Sequence, residues 1–294
     1  MKIFVIGGSG IVGLPTVRAL RRKGYGVLAL APTEDDVRIL READADVLPG
    51  DVRDENLIAA AARHCDAVIY SMKIRPLADW IAADRLAVPT LLRQLTGSGK
   101  RFVYISGANT YGDTGRTEVD ETYPPNDPPE YGAWRGYKEM EPLVLRSTQD
   151  GVHPIIVKPA QIYGDQRITF RLGWIVDGAA HYVGDGSNLI SMVHAHDLAD
   201  LIVLALERAP AGSIYNASAG RPVKWKELAE AVSRGYGWGG TATSVTVEEA
   251  KNSIGIGIGN HTRDICLSSA KALALGWTPK WTDVLANPER WLKD

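Results

Sequence analysis

A chain of 294 residues is long enough for one large domain or two unequal lobes. Apolar residues make up 45% and charged residues 23%, as in ordinary globular proteins, and a net charge of −2 argues against a general polyanion binder such as a nucleic-acid protein. The two cysteines, Cys65 and Cys266, are too few and too far apart for a disulfide framework or a metal cluster, so the expected location is a reducing cytoplasm.

The first apolar run, Ile3–Ile6, ends in glycine and is too short for a membrane span or a signal core. It reads as a strand. "LPTVRALRRKG" carries Leu14, Val17 and Leu20 at helical spacing and stops at Gly24. "YGVLAL" is a second strand, "EDDVRILREA" a short helix, and "ADVLPGD" a third strand. "DENLIAAAARHC" is a helix that Asp54 caps, and "DAVIYS" a fourth strand. A long helical stretch from Asp79 contains Pro89, a point of irregularity, and "RFVYIS" is a fifth strand. The alternation continues through a helix over "YGAWRGYKEMEPLVLRST" and a strand over "HPIIVKP". Wholly apolar strands separated by helices predict an α/β fold with a doubly wound parallel sheet, whose ligands sit at the carboxyl ends of the strands.

Beyond Pro159 the pattern loosens. A helix capped by Asp197, a strand over "SIYNAS" and a helix over "KWKELAEAVSRGYG" stand among glycine-rich segments, and "NSIGIGIGNH" reads as a loop. The expected division is a dinucleotide-binding domain over 1–160 and a smaller substrate lobe over 161–294. Some elements of the lobe return to the main sheet.

"GGSGIVG" places Gly7, Gly10 and Gly13 between a predicted strand and a predicted helix. Gly7 suits a tight turn. Gly10 lets the backbone approach a pyrophosphate at the helix N-terminus, and Gly13 lets helix and strand pack closely.

In order along the chain, these motifs resemble an extended or atypical short-chain dehydrogenase/reductase, the NAD-dependent epimerase/dehydratase family. The resemblance implies that Gly7, Ser9, Gly10, Ile11, Val12 and Gly13 bind the cofactor. It implies adenine contacts from Asp51 and Val52 in "GDVRD", and ribose contacts from Ser71 and Met72 in "VIYSMK". "VKPAQIYG" is similar to the segment beside the nicotinamide, which implicates Pro159 and Ile162. "MVHAHDLADLIVLAL" and "LGWTPKW" match later family motifs. The implied partners are a small-molecule substrate and a second copy of the chain, docked through helices near 79–97 and 131–148. Nucleic acid and membrane are not expected.

The resemblance implies a nicotinamide cofactor, NADP or NAD. NAD-specific proteins of this type end the second strand in an acid that holds the ribose hydroxyls. Ala31, Pro32 and Thr33 carry no charge there, and Glu34 to Asp36 come late enough to cap the next helix. An arginine for a 2′-phosphate is absent near Pro32, though Arg38 could reach one. The absence of an early acid tilts the expectation toward NADP.

The family uses a tyrosine as acid–base and a lysine four residues later. A tyrosine ionises near pH 10, so ionising it near pH 7 costs roughly 4 kcal/mol, which a neighbouring cation offsets. "YGAWRGYKEME" fits this pattern in two registers. In one, Tyr131 is the acid–base and Arg135 stands for the lysine. In the other, Lys138 is the family lysine and Trp134, which cannot exchange a proton, replaces the tyrosine. A third reading makes Tyr131, Trp134 and Tyr137 packing aromatics and Arg135 and Lys138 solvated charges. The family's serine or threonine position falls on Gly107, with Ser106 on the opposite strand face and Asn109 or Thr110 as substitutes. His194 and His196 have strand-type metal spacing, but the resemblance puts them at the cleft edge and no metal is expected. Arg171, Trp174, His181, Tyr182 and Arg263 are implied to face the substrate. The function expected from the resemblance is an oxidoreductase or epimerase/dehydratase acting on a hydroxyl or carbonyl, possible substrates including sugars. Its alternative is a dinucleotide-binding sensor whose catalysis is altered.

Overall fold

Short apolar runs with no polar face cannot lie at a surface, so the chain buries them as a central sheet covered on both sides. The structure is a computed structural model and describes residues 1–74, 76–126, 135–164, 175–176, 178–254 and 259–292. The N-terminal half alternates β1 (Lys2–Ile6), α1 (Gly13–Arg22), β2 (Gly26–Ala31), α2 (Glu34–Glu42), β3 (Asp46–Pro49), α3 (Glu55–His64), β4 (Ala67–Tyr70), α4 (Leu77–Leu95), β5 (Arg101–Ile105), α5 (Arg135–Arg146) and β6 (His153–Pro159). Then come β7 (Gln161–Tyr163), β8 (Ile175–Val176), β9 (Ala179–Val183), β10 (Leu189–Ile190) and β11 (Met192–His194). The remainder is α6 (Ala195–Arg208), β12 (Ser213–Ala217), β13 (Val223–Lys224), α7 (Trp225–Gly235), β14 (Ala242–Val245), α8 (Val247–Ile254), α9 (Ala270–Leu275) and α10 (Pro288–Trp291).

The main sheet has seven strands in the order β12-β6-β5-β4-β1-β2-β3, and every neighbouring pair is parallel. The order reverses beside β1, which opens a crevice at the carboxyl ends of β1 and β4. On one face, Val17, Leu20, Val37, Leu40, Leu198 and Ile202 bring α1, α2 and α6 onto the sheet. On the other, Ile58, Ala62, Leu91 and Val144 bring α3, α4 and α5. From the C-terminal half, β12 extends the sheet beyond β6, with Ser213 opposite Ile155. The rest forms small sheets: β7 with β11, β10 with β13, and β14, β9 and β8. No helix of the described residues is long and apolar enough to cross a membrane.

Two details differ from the sequence reading. α6 begins at Ala195, and the cap is His194, whose Nδ1 accepts from the His196 amide at 3.2 Å. Asp197 lies inside the first turn and accepts instead from the Lys280 and Trp281 amides, at 3.0 and 2.8 Å. The glycine-rich stretch from Asn252 is not loop throughout, because α8 runs on to Ile254. Pro89 lies within α4 and Pro142 within α5.

Candidate active site

The glycine loop leaves the carboxyl end of β1 and packs so closely that side chains are excluded. At Gly7 φ is +79°, and a β-carbon there would lie 2.8 Å from the Ser71 carbonyl oxygen and 2.9 Å from the Met72 amide nitrogen. A β-carbon on Gly13 would overlap the Gly7 carbonyl. The turn is closed by the Gly10 amide donating to Gly7 O at 3.1 Å and the Leu14 amide donating to Gly10 O at 2.8 Å. Such a bare-backbone cradle at a helix N-terminus fits a pyrophosphate, since amide dipoles and the helix end favour negative charge.

Other sequence-derived positions lie at or just beyond the ends of strands, because parallel strands all end on the same side of the sheet. The Ser71 amide and hydroxyl both donate to Ile6 O, at 3.0 and 3.1 Å. Met72 and Val52 are buried in one cluster with Ile6 and Leu30. Asp51 stands exposed at the exit of β3, where it accepts from the Arg53 amide at 2.8 Å. Ile11, Val12 and Ile162 pack against the cluster on the other face of the sheet, and Pro159 is buried at the end of β6. Ser9 donates to Asp36 Oδ1 at 2.5 Å.

Tyr131, Trp134, Arg171 and Trp174 lie outside the described residues. Arg135 enters as the first residue of α5. Lys138 is half-buried on that helix, and the neighbouring Glu139 pairs with Arg85 of α4 at 2.8 Å. Tyr137 is buried: its ring meets Trp80 edge-on with centroids 4.9 Å apart, and Tyr104 at 6.2 Å. Burial pushes its phenol well above the usual tyrosine range, with Asp84 and Glu141 adding to the effect. The ring also fills the space in front of Gly107, where a β-carbon would be 3.1 Å from Tyr137 Cε2.

Ser106 points away from the cleft and donates to Glu141 in the core. Thr110 is buried, donating to Gly107 O at 3.0 Å and accepting from Lys158 Nζ at 3.1 Å. Asn109 is half-buried and bonds Asn260, which in turn donates to Gln161 at 3.3 Å. Arg263 is buried, its Nε donating to Gly259 O at 3.0 Å. His181 bonds Ala179 O at 3.0 Å, and Tyr182 lies under Lys226. His194 stacks on Trp281 at 4.3 Å, and burial, with His196 beside it, pushes its imidazole down to about 3.

Sequence reasoning missed a buried charge cluster beside the site. Lys158 pairs with Glu141 at 2.8 Å and lies over the Tyr111 ring at 4.4 Å. It also missed Asp84, which accepts from Tyr70 at 2.6 Å and is pushed up to about 7 by burial. In the sequence Glu141 and Asp84 look like ordinary helix charges, and Lys158 like a lone charge on a strand. The available signal for Glu141 was its place four residues after Tyr137, on the apolar stripe that Met140 and Val144 continue.

The chain belongs to the NAD dependent epimerase/dehydratase family, whose model matches residues 3–218. An uncharacterised protein of Schizosaccharomyces pombe is 27% identical, covering 98% of each chain. The 4-hydroxy-2-methyl-3-oxo-4-farnesyl-3,4-dihydroquinoline-1-oxide ketoreductase of Stigmatella aurantiaca is 26% identical over 78% of this chain and 71% of its own. In fold, the chain is similar to the UDP-glucose 4-epimerase of Thermotoga maritima, solved with UDP-glucose. The TM-score is 0.80 at 19% identity, over 100% of this chain and 98% of that one.

Proposed function

We propose that the protein is an NAD(P)-dependent oxidoreductase or epimerase/dehydratase that acts on a hydroxyl or carbonyl of a small molecule, with sugars and sugar nucleotides among the candidates. The observation that carries this reading is the side-chain-free cradle of Gly7 and Gly13, placed against Ser71 and Met72 at the reversal of strand order. In this reading the loop amides and Ser9, Gly10, Ile11 and Val12 hold the pyrophosphate. Asp51 and Val52 border the adenine, Ser71 and Met72 the ribose, and Pro159 and Ile162 the nicotinamide. A bound nicotinamide dinucleotide supplies the hydride chemistry. Family membership favours NAD; the uncharged tip of β2 is the feature on the side of NADP.

Tyr131 handles the proton, with Arg135 as the neighbouring cation, and Lys138 is the alternative cation. Burial of Tyr137 supports Tyr131, because the other tyrosine of the stretch is packed against Trp80 and Tyr104 and its phenol is held protonated. Arginine keeps its charge at all working pH values and favours a tyrosinate electrostatically. In this reading Asn109, the half-exposed polar side chain after β5, hydrogen-bonds the substrate oxygen in place of the hydroxyl that Gly107 lacks. A cytoplasmic location and a homodimer through α4 and α5 belong to the same proposal.

The test is Tyr131→Phe, assayed by nicotinamide absorbance across sugars, sugar nucleotides and ketones, with NADH binding measured alongside. Loss of a positioned acid–base should cut turnover about 100-fold or more while leaving cofactor binding intact. Unchanged turnover would overturn the assignment. The second reading, a dinucleotide-binding sensor, is favoured by the way Tyr137 fills the place in front of Gly107. It predicts cofactor binding with no turnover on any substrate.

A further inference from the structure

The end of β2 carries no charge, since Ala31 is buried and Pro32 and Thr33 follow. The structure nevertheless brings a carboxylate to that place from the first turn of α2. Asp36 is the third residue of the helix, and its side chain folds back over the helix N-terminus. Its Oδ2 accepts from the Thr33 amide at 3.2 Å and the Thr33 hydroxyl at 2.6 Å. Its Oδ1 accepts from Ser9 Oγ at 2.5 Å, across 27 residues of sequence. The carboxylate is thus tied at once to the tip of β2 and to the glycine loop. Helix capping alone explains the Thr33 bonds; it does not explain the bond to Ser9.

We infer that Asp36, tethered by Ser9, is the residue that sets the choice of dinucleotide, selecting NAD over NADP. The inference rests on the dinucleotide reading of the glycine loop. A carboxylate has about four lone-pair sites. Three are occupied by Ser9 and Thr33, which leaves Oδ1 able to accept from a ribose hydroxyl beside the loop. A 2′-phosphate at that place meets a fixed negative charge, with Glu34 and Asp35 adding to it from the same turn. Like charges brought together at a binding surface are a strong source of discrimination.

The cation that would relieve the repulsion is engaged elsewhere. Arg38 Nη1 donates to Glu42 at 3.1 Å and Nη2 to Asp35 at 3.3 Å, both on the exposed side of α2. Arg53, near the exit of β3, pairs with Asp51 at 3.4 Å. Among the described residues, no lysine or arginine bonds Asp36. The acid that a ribose requires is therefore present, but it comes from the helix and not from the strand.

The experiment is equilibrium binding of NADH and NADPH to the full chain, followed by nicotinamide fluorescence, for wild type, Asp36→Asn and Ser9→Ala. Wild type should bind NADH about ten-fold or more tighter than NADPH, as expected for one like-charge clash. Asp36→Asn should shrink that ratio at least about five-fold, mostly by tightening NADPH. Ser9→Ala keeps the charge and the helix cap but frees the carboxylate, so any loss of pyrophosphate contact falls on both dinucleotides while NADH weakens by the larger factor and the ratio narrows. A wild type that prefers NADPH, or a ratio that Asp36→Asn does not move, overturns the assignment while the cofactor site stands. Binding of neither dinucleotide by a folded wild type overturns the site itself, and this inference with it.

Discussion

Lys158 of β6 and Glu141 of α5 meet at 2.8 Å within the core, with side chains 3% and 8% exposed. The pair fixes α5 against the sheet, since Glu141 also accepts from Ser106 of β5 and Lys158 donates to Thr110. Helical geometry then turns Tyr137, one turn earlier, toward Gly107.

Neutralising one member of this pair should cost far more than replacing both. Glu141→Gln leaves a buried ammonium without its counter-ion and should destabilise the protein by about 3–5 kcal/mol. The double variant Glu141→Leu, Lys158→Met should recover most of that loss, because well-packed apolar groups often replace a buried ion pair without penalty. Urea unfolding of Glu141→Leu, Lys158→Met and the double variant gives the coupling. Additive losses would show that the two charges do not act together.

Gly107 has an extended backbone, φ −160° and ψ 144°, which any residue can adopt. The obstacle to a side chain there is the Tyr137 ring. Gly107→Ala should destabilise the fold by about 1–3 kcal/mol through overpacking. In a Tyr137→Leu background the same change should be nearly neutral. Equal penalties in both backgrounds, read from thermal or chemical unfolding, would remove the ring as the cause.

Asp84 gives a pH signature. Its carboxyl is raised from 3.8 to about 7 by burial, although the Tyr70 and Tyr104 hydroxyls pull the other way. Between those two values the folded protein holds more protons than the unfolded chain, so this group's contribution to stability falls as pH rises from about 4 to about 7 and is flat above. The full effect is at most roughly 4 kcal/mol. Asp84→Asn removes the slope, so its stability relative to wild type should rise between pH 4 and pH 8. A difference that stays constant across that range would show that Asp84 does not titrate there.

Asp197 ties the last part of the chain to α6 through the Lys280 and Trp281 amides, and the Trp277 indole donates to its carbonyl at 2.9 Å. Asp197→Ala orphans two backbone donors and should cost about 1–3 kcal/mol. Amide exchange should accelerate around 277–285 and stay slow in β1, β4 and β5. Uniform acceleration throughout would point to global unfolding.

The main sheet and the glycine loop were legible because their signals are local. A four-residue apolar run ending in glycine needs no distant partner to be understood. The caps were legible in part: Asp54 bonds the Leu57 amide at 3.0 Å as its position suggested, whereas Asp197 had a better partner in a segment more than 80 residues on. The same limit applies to Asp36, whose place in the chain announces a helix cap and whose bond to Ser9 does not show in the sequence. Lys158 and Glu141 were missed for a related reason. A lone charge in an apolar segment is ordinarily solvated, and only the packed sheet reveals that these two compensate each other. Ser106 is the opposite case, since strand alternation alone turned it away from the cleft.

The seventh strand of the sheet, β12, comes from the C-terminal half and pairs with β6 along five residues, Ser213 to Ala217. Cut at residue 160, the first part of the chain would keep its glycine loop but expose β6 as a long, flat, apolar edge, and such an edge recruits strands from other molecules. The first 160 residues are thus not an exchangeable part. A transplant that keeps the glycine loop and replaces the chain beyond β6 has to carry β12 across as well.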